Sequence, residues 1–78
     1  MLKFTLLNKT TDEIQYAYYP EGGQHYGVVS YDINAGDCQI VTLSSGDIHQ
    51  KYALKMLSRI RKFALDGNFE DEGIIAWY

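Results

Sequence analysis

Three side chains have the types that nucleophilic or metal chemistry uses most often: Cys38, His25 and His49. A cysteine nucleophile needs a base within hydrogen-bond reach and a third group that orients that base. Cys38 and His25 fall on predicted strands that face each other or lie one apart, but a free cysteine is usually a small buried apolar side chain. The two histidines lack the H-x-x-x-H spacing of a helical zinc site. We therefore expect no catalytic residue and no metal ligand among them.

The acidic run at 70–72 and the glycines do not form a recognisable cofactor motif. The segment FEDEG (69–73) does not match a calcium loop, whose ligands are spaced over a longer pattern, so it is better interpreted as a solvated loop. The chain has neither a glycine motif for phosphates or dinucleotides nor a G-x-S-x-G elbow. We expect no bound cofactor and no enzymatic activity, with a ligand or catalytic site shared between subunits as the remaining alternative.

Positive charge is concentrated in one segment of the chain. Five of the seven basic residues lie within 51–62, and the rest of the chain carries a net charge of −8. Spacings of four, four and three place four of them on one helix face: Lys51, Lys55, Arg59 and Lys62. Such a stripe could contact phosphates or an acidic protein, or remain a solvated face. The overall net charge of −3 argues against a dedicated nucleic-acid binder, which is usually basic.

Size and composition indicate one small globular domain that spans residues 1–78. The 78 residues leave no room for two domains, and the 46% hydrophobic content argues against disorder. No apolar run approaches the ~20 residues that span a bilayer. The segment MLKFTLLNKTT is too short and mixed for a signal peptide. Because the single Cys38 cannot form an internal disulfide, we expect a cytoplasmic protein.

Alternating apolar residues and turn residues predict four antiparallel strands in the first half of the chain. The strands are expected at 2–7, 14–19, 25–33 and 38–43. Pro20 ends the second strand because it lacks the N–H of a sheet ladder. Gly27 marks a bulge or a close backbone approach, and Gly36 suits the left-handed position of a hairpin loop.

The apolar period then changes to that of a helix, from Ala53 to Ala64. Asp47 and Gln50 have the spacing of a capping box, in which the carboxylate accepts N–H groups of the first helical turn. His49 is then expected in that first turn. Arg61 and Lys62 are predicted in the last turn, and Gly67 is placed to end the helix.

The chain ends in the apolar sequence GIIAWY (73–78). These residues have no helical length left, so their apolar area must be buried against another element. We predict a short fifth strand, which pairs either antiparallel with strand one or parallel with strand four. We prefer strand one, which would otherwise be a long exposed edge. An exposed peptide that docks on a partner's sheet is the alternative.

The predicted fold is therefore α+β: a four-stranded antiparallel meander, one amphipathic helix on one face, and a fifth C-terminal strand (ββββαβ). Because one helix covers one sheet face, strand alternation leaves aromatic residues on the open face whichever side the helix takes, and we name Tyr19 and Tyr26 as candidates for partner contact. We expect a non-catalytic interaction or regulatory protein that acts by protein–protein contact, either with another protein or as a two-fold homodimer. The alternatives are nucleic-acid association through the basic stripe and small-ligand binding at a subunit interface.

Overall fold

The computed structural model describes residues 1–47 and 49–76. It contains five strands and one helix in the predicted ββββαβ order, which confirms the α+β fold. The elements are β1 (Leu2–Lys9), β2 (Glu13–Pro20), β3 (Gly27–Asp32), β4 (Asp37–Thr42), α1 (Lys51–Asp66) and β5 (Glu72–Ile75). The end of the predicted tail strand, at Trp77 and Tyr78, lies outside the described residues.

The five strands form one antiparallel sheet in the order β4-β3-β2-β1-β5. The fifth strand pairs with β1, as preferred from the sequence, with Leu2 opposite Ile75 and Thr5 opposite Glu72. Ile75 is only 6% exposed and belongs to the core, whereas Ile74 is 59% exposed, so only one of the two tail isoleucines is buried as predicted. The strand order leaves β4 and β5 as the two edges of the sheet.

The core lies between α1 and one face of the sheet. Its buried side chains come from four strands and from the apolar stripe of the helix: Leu2, Phe4, Ile14, Tyr16, Tyr18, Val29, Ala53, Met56, Leu57, Ile60, Phe63 and Ile75. Phe4 stands edge-on to Tyr16, with ring centroids 5.6 Å apart, and lies 5.8 Å from Phe63. Aromatic pairs of this geometry add about 0.5–1.5 kcal/mol beyond the area that they bury. An aromatic cluster therefore joins helix and sheet.

The start of the helix differs in detail from the predicted capping box. The buried Asp47 carboxylate does accept the first-turn N–H groups, of Tyr52 at 3.0 Å and of Ala53 at 2.8 Å. Gln50, however, is itself the N-cap residue, in the left-handed region with φ 60°, and its side chain makes no capping bond. The Gln50 N–H donates to the Asp47 carbonyl at 3.2 Å, and the Asp47 carboxylate lies against the first turn of the helix. His49 consequently precedes the helix instead of lying in its first turn.

The end of the helix follows the predicted glycine but not the predicted charges. Gly67 has φ 72° and donates to the Ala64 carbonyl, and the Asn68 N–H reaches the Phe63 carbonyl at 3.1 Å. These bonds satisfy carbonyls that lack partners within the helix. Because α1 continues to Asp66, Arg61 and Lys62 lie before the last turn, which contains no basic residue.

Stability should fall in alkaline solution because of the buried phenol of Tyr16. Burial, with smaller effects of Asp71 and Glu70, raises its pKa from 10.0 to about 12. Since the phenol of the unfolded chain ionises first, its stabilising effect is complete below pH 10 and is lost as the pH rises towards 12. The full loss is about 2.7 kcal/mol, of which about 2 kcal/mol should appear between pH 9 and pH 11.5. Urea unfolding at pH 9 and pH 11.5 measures it.

The Tyr16→Phe variant is the control for this pH dependence. Its stability at neutral pH should fall by about 1 kcal/mol, because the Tyr16 hydroxyl donates a 2.6 Å hydrogen bond to the Glu70 carbonyl. Its alkaline loss should be smaller than that of the wild type, with a remainder from Tyr18, whose pKa burial also raises. Equal alkaline losses in both proteins would contradict the assignment to Tyr16.

Candidate functional site

The sheet face that turns away from α1 carries cross-strand rows of polar residues. Alternate residues of a strand point to opposite faces, so with Ile14, Tyr16 and Tyr18 buried under the helix, Glu13 and Gln15 lie on the other side. The register then fixes their neighbours on β3 and β4. We call this side the helix-free face.

Three carboxylates form one row across this face. Glu13 lies opposite Asp32, and Asp32 lies opposite Asp37. Like charges directly opposite each other destabilise a sheet. Within residues 1–47 and 49–76, the one ion pair joins the Met1 amine to Glu21, so no salt bridge compensates the row. We call Glu13, Asp32 and Asp37 the acidic row.

The β3–β4 turn holds the central carboxylate of the acidic row in place. Asp32 Oδ1 accepts hydrogen bonds from the backbone N–H groups of Asn34, at 2.9 Å, and Ala35, at 3.0 Å. The turn ends at Gly36, whose φ of 71° confirms the predicted left-handed position. Oδ1 of Asp32 thus stabilises the turn. Oδ2 takes part in none of the hydrogen bonds among the described residues.

A cavity of about 460 Å³ adjoins the acidic row. It extends from the helix-free face around the edge strand β4, and its lining residues are Glu13, Ser30, Asp32, Gly36, Asp37, Cys38, Gln39 and Arg61. Three carboxylates and one guanidinium give the lining a net negative charge. The cavity therefore suits a positively charged group with several hydrogen-bond donors.

Ser30 supplies a buried polar side chain to this cavity. The residue is 2% exposed and lies between Gln15 and Gln39 in the row beside the carboxylates. Within the described parts of the chain its hydroxyl takes part in no side-chain hydrogen bond, and no fully enclosed side-chain N or O lacks a partner. The hydroxyl must therefore reach the cavity, where an incoming ligand can hydrogen-bond to it.

Tyr19 and Tyr26, the two tyrosines named as candidates for partner contact, lie together at the other end of this face. Their ring centroids are 5.5 Å apart at an interplanar angle of 41°, and Tyr26 is 53% exposed. Lys3 and the exposed Ile74 continue the row from Tyr19. The seven residues from Glu13 to Tyr19 span about 20 Å along β2, so the face has an acidic end and an aromatic end.

The helix-free face is more polar than was predicted from the sequence. Tyr16 and Tyr18 are fully buried on the helix side, and Tyr31 points to that side as well, 5.9 Å from Phe69. The central sheet residues on the open side are the small Ala17, which is fully buried, and Ser30, which is 2% exposed and lines the cavity. Tyr19 and Tyr26 are therefore a local aromatic pair, not part of a continuous aromatic surface.

The basic stripe lies on the opposite side of the molecule, on the outer surface of α1. Lys51, Lys55 and Lys62 are exposed and Arg59 is half-buried. These side chains point away from the buried stripe of the helix, and the helix covers the other face of the sheet. The predicted stripe and the acidic row consequently face in opposite directions and cannot act on one small ligand.

The structure does not bring Cys38 and His25 together. Cys38 pairs with Tyr31 near the end of β3, whereas His25 precedes Gly27, where β3 begins. The seven residues from His25 to Tyr31 correspond to about 20 Å of extended chain. Burial raises the pKa of the Cys38 thiol, which lowers its reactivity.

Metal and membrane features are also absent from the described regions. Among residues 1–47 and 49–76, no group of three or more His, Cys, Asp or Glu side chains is arranged to hold a metal ion. The acidic run at 70–72 serves the fold through its backbone, since the Glu70 carbonyl accepts from Tyr16 and the Asp71 carbonyl accepts from Leu6. The helix in this part of the protein is not long and apolar enough to cross a bilayer.

Sequence reasoning did not identify the acidic row or Ser30. Asp32 and Asp37 flank the short β3–β4 turn, and this loop length does indicate that they pair. The approach of Glu13 depends on the β2–β3 register, which the longer connection at 21–26 does not determine. The hydrophobic pattern locates Ser30 on a strand but gives no sign of a cavity beside it.

Comparison with known proteins adds no assignment to these surfaces. The chain matches no protein-family model, and no curated protein or solved structure shows significant similarity to it. The function must therefore be argued from the helix-free face itself.

Proposed function

We propose that the protein is a small non-catalytic interaction protein of the cytoplasm that binds a positively charged segment of another protein on its helix-free face. The acidic row carries this proposal. Glu13, Asp32 and Asp37 lie side by side without a salt bridge in the described residues, and this arrangement costs the sheet stability. A cationic partner offsets the repulsion and pairs with all three carboxylates.

The aromatic end of the face supports the same class of partner. A lysine or arginine over the face of a tyrosine ring gains about 0.5–1 kcal/mol at an exposed site. Tyr19 and Tyr26 present such a pair about 20 Å from the acidic row. Seven extended residues cover this distance, so one basic segment can reach both ends of the face.

A second copy of this chain is a less suitable partner for the acidic row. The positive charge that would complement the row is the basic stripe on the opposite side of the molecule, including Lys51, Lys55 and Lys62. Joining opposite sides gives a head-to-tail contact that continues from copy to copy, not a closed two-fold dimer. Homodimerisation remains a prediction, and light scattering at high protein concentration tests it.

Nucleic-acid association through the basic stripe is the second candidate function. It is supported by the exposure of Lys51, Lys55 and Lys62 along one side of α1. Phosphate contacts would make binding weaken steeply as the salt concentration rises. A DNA or RNA mobility shift at low salt, abolished in a Lys55→Gln/Lys62→Gln variant, would favour this candidate over a protein partner.

The proposed function is tested with a capped heptapeptide of alternating lysine and threonine, KTKTKTK. Calorimetry should detect binding at low salt, and the glutamate counterpart ETETETE should not bind. Glu13→Gln and Asp37→Asn should each weaken binding by about three- to tenfold, which corresponds to one charged hydrogen bond in a partly solvated site. Both variants should be at least as stable as the wild type, because each removes a like-charge pair.

The matched control is Asp66→Asn, which makes the same change in net charge at an exposed residue of α1. It should leave the affinity for KTKTKTK nearly unchanged. Equal weakening by Asp66→Asn and Glu13→Gln would show a general electrostatic attraction and would contradict a defined site. Unchanged affinity in both Glu13→Gln and Asp37→Asn would also contradict a defined site at the acidic row.

A further inference from the structure

A second cavity continues from the one beside the acidic row. It has a volume of about 340 Å³ and is lined by Tyr31, Gly36, Arg61, Ala64 and Leu65. Gly36 and Arg61 also line the first cavity. The two spaces are therefore neighbours at the start of β4, one at the acidic row and the other between the β3–β4 turn and the end of α1.

The second cavity is an apolar groove. Its apolar walls are the Tyr31 ring, Ala64 and Leu65. Leu65 is 88% exposed, more than any other large hydrophobic residue in the described parts of the chain. A single exposed leucine is ordinary on a protein surface. Leu65, however, borders a groove that opens beside a charged cavity. Binding sites commonly combine apolar walls with a few polar contacts in this way.

Arg61 stands at the boundary between the two cavities. Its guanidinium opposes a second cation at this position but can donate to a backbone carbonyl of a bound segment. In the bound segment, the residue next to the one that enters the acidic cavity is therefore better uncharged. An apolar side chain there can enter the groove, whose walls lose exposed apolar area when it is filled.

We propose that the basic segment bound at the acidic row carries a large apolar residue directly beside its anchoring lysine or arginine, and that this residue occupies the groove at Leu65. This inference rests on the proposed function, since the acidic row holds the basic residue. Two observations support this proposal. The two cavities share the lining residues Gly36 and Arg61. The walls are rich in carboxylates on one side of these residues and apolar on the other.

The test compares KTKTKTK with KTKLKTK, in which leucine replaces the central threonine. The wild-type protein should bind the leucine peptide about tenfold more tightly, as expected from partial burial of one leucine side chain. Leu65→Asn should remove this gain and leave the affinity for KTKTKTK unchanged. Leu54→Asn is the matched control, because Leu54 is 55% exposed on the same helix but does not line the groove; it should keep the gain.

The possible outcomes separate the two proposals. A tenfold gain that survives in Leu65→Asn, or that disappears equally in Leu54→Asn, overturns the apolar anchor while the basic-segment function stands. Failure of the wild-type protein to bind either peptide overturns the proposed function itself. Circular dichroism of the two asparagine variants should match the wild type, since both substitutions are at exposed positions.

Discussion

Replacing Phe4 with alanine should lower the free energy of unfolding by about 3–5 kcal/mol. Phe4 is 1% exposed and lies at the centre of the aromatic cluster, 5.6 Å from Tyr16 and 5.8 Å from Phe63. Its ring also lies close to Gly73 on β5. The alanine variant therefore leaves a cavity where the helix and the strands β1, β2 and β5 meet.

The size of this loss decides whether the variant folds. A domain of this length has a total stability of about 4–12 kcal/mol, so Phe4→Ala should be largely unfolded at low urea concentration or at moderate temperature. Leu65→Ala is the control, because it removes a similar apolar side chain that is 88% exposed, and its loss should stay below about 0.5 kcal/mol. Equal midpoints in urea for both variants would contradict the described core.

Gly27→Ala is expected to cost about 3 kcal/mol, at the upper end of overpacking substitutions. A Cβ at this position would lie 2.3 Å from Tyr18 Cε1 and 2.6 Å from the Thr42 carbonyl oxygen. The ring of Tyr18 is fully buried and its hydroxyl accepts from the Ser44 N–H, so it cannot move aside cheaply. The close backbone approach predicted at Gly27 is confirmed by these distances.

The contrasting substitution is Gly36→Ala. A Cβ at Gly36 would meet no atom within 4 Å, so the cost is limited to the left-handed backbone with φ 71°, about 1 kcal/mol. Both variants add one methyl group, but in different surroundings. Comparing their thermal unfolding therefore separates the steric cost from the conformational cost of the substitution. A Gly27→Ala variant as stable as Gly36→Ala would contradict the packing of β3 against Tyr18.

The elements that follow from local patterns were predictable from the sequence. Alternation locates β1 and β2, the 3.6-residue period locates α1, and Gly67 marks the end of the helix. The pairing of β5 with β1 also follows, because β1 would otherwise be a long open edge. Details that depend on loop geometry did not follow. The turn before α1 makes Gln50 the N-cap and moves Asp47 below the helix, and no residue pattern specifies that turn.

The candidate site was less predictable because it depends on the register of three strands. Glu13 and Asp32 are nineteen positions apart in the sequence and become neighbours only through the pairing of β2 with β3. The sequence did indicate Tyr19 and Tyr26, since alternation alone places Tyr19 opposite the buried Tyr16 and Tyr18. It directed attention to the basic stripe of the helix, whereas three of the four charged residues that line the cavity are acidic.

The acidic row conflicts with the otherwise consistent design of the sheet. Strand propensity, turn residues and apolar alternation all favour the observed fold, but three adjacent carboxylates on neighbouring strands oppose it. Violations of local consistency of this kind are expected where a surface serves a function. We therefore expect the binding site at Glu13, Asp32 and Asp37, and not at the more numerous charges of the helix.

Nuclear magnetic resonance mapping of the 78-residue protein decides whether the helix-free face, and not the helix, binds a basic segment. KTKLKTK is titrated into ¹⁵N-labelled protein at low salt. Binding at the helix-free face should give the largest amide shift changes at Glu13, Ser30, Asp37 and Gln39, with smaller ones at Leu65. Changes confined to the outer surface of α1, or none at saturating peptide, would contradict it.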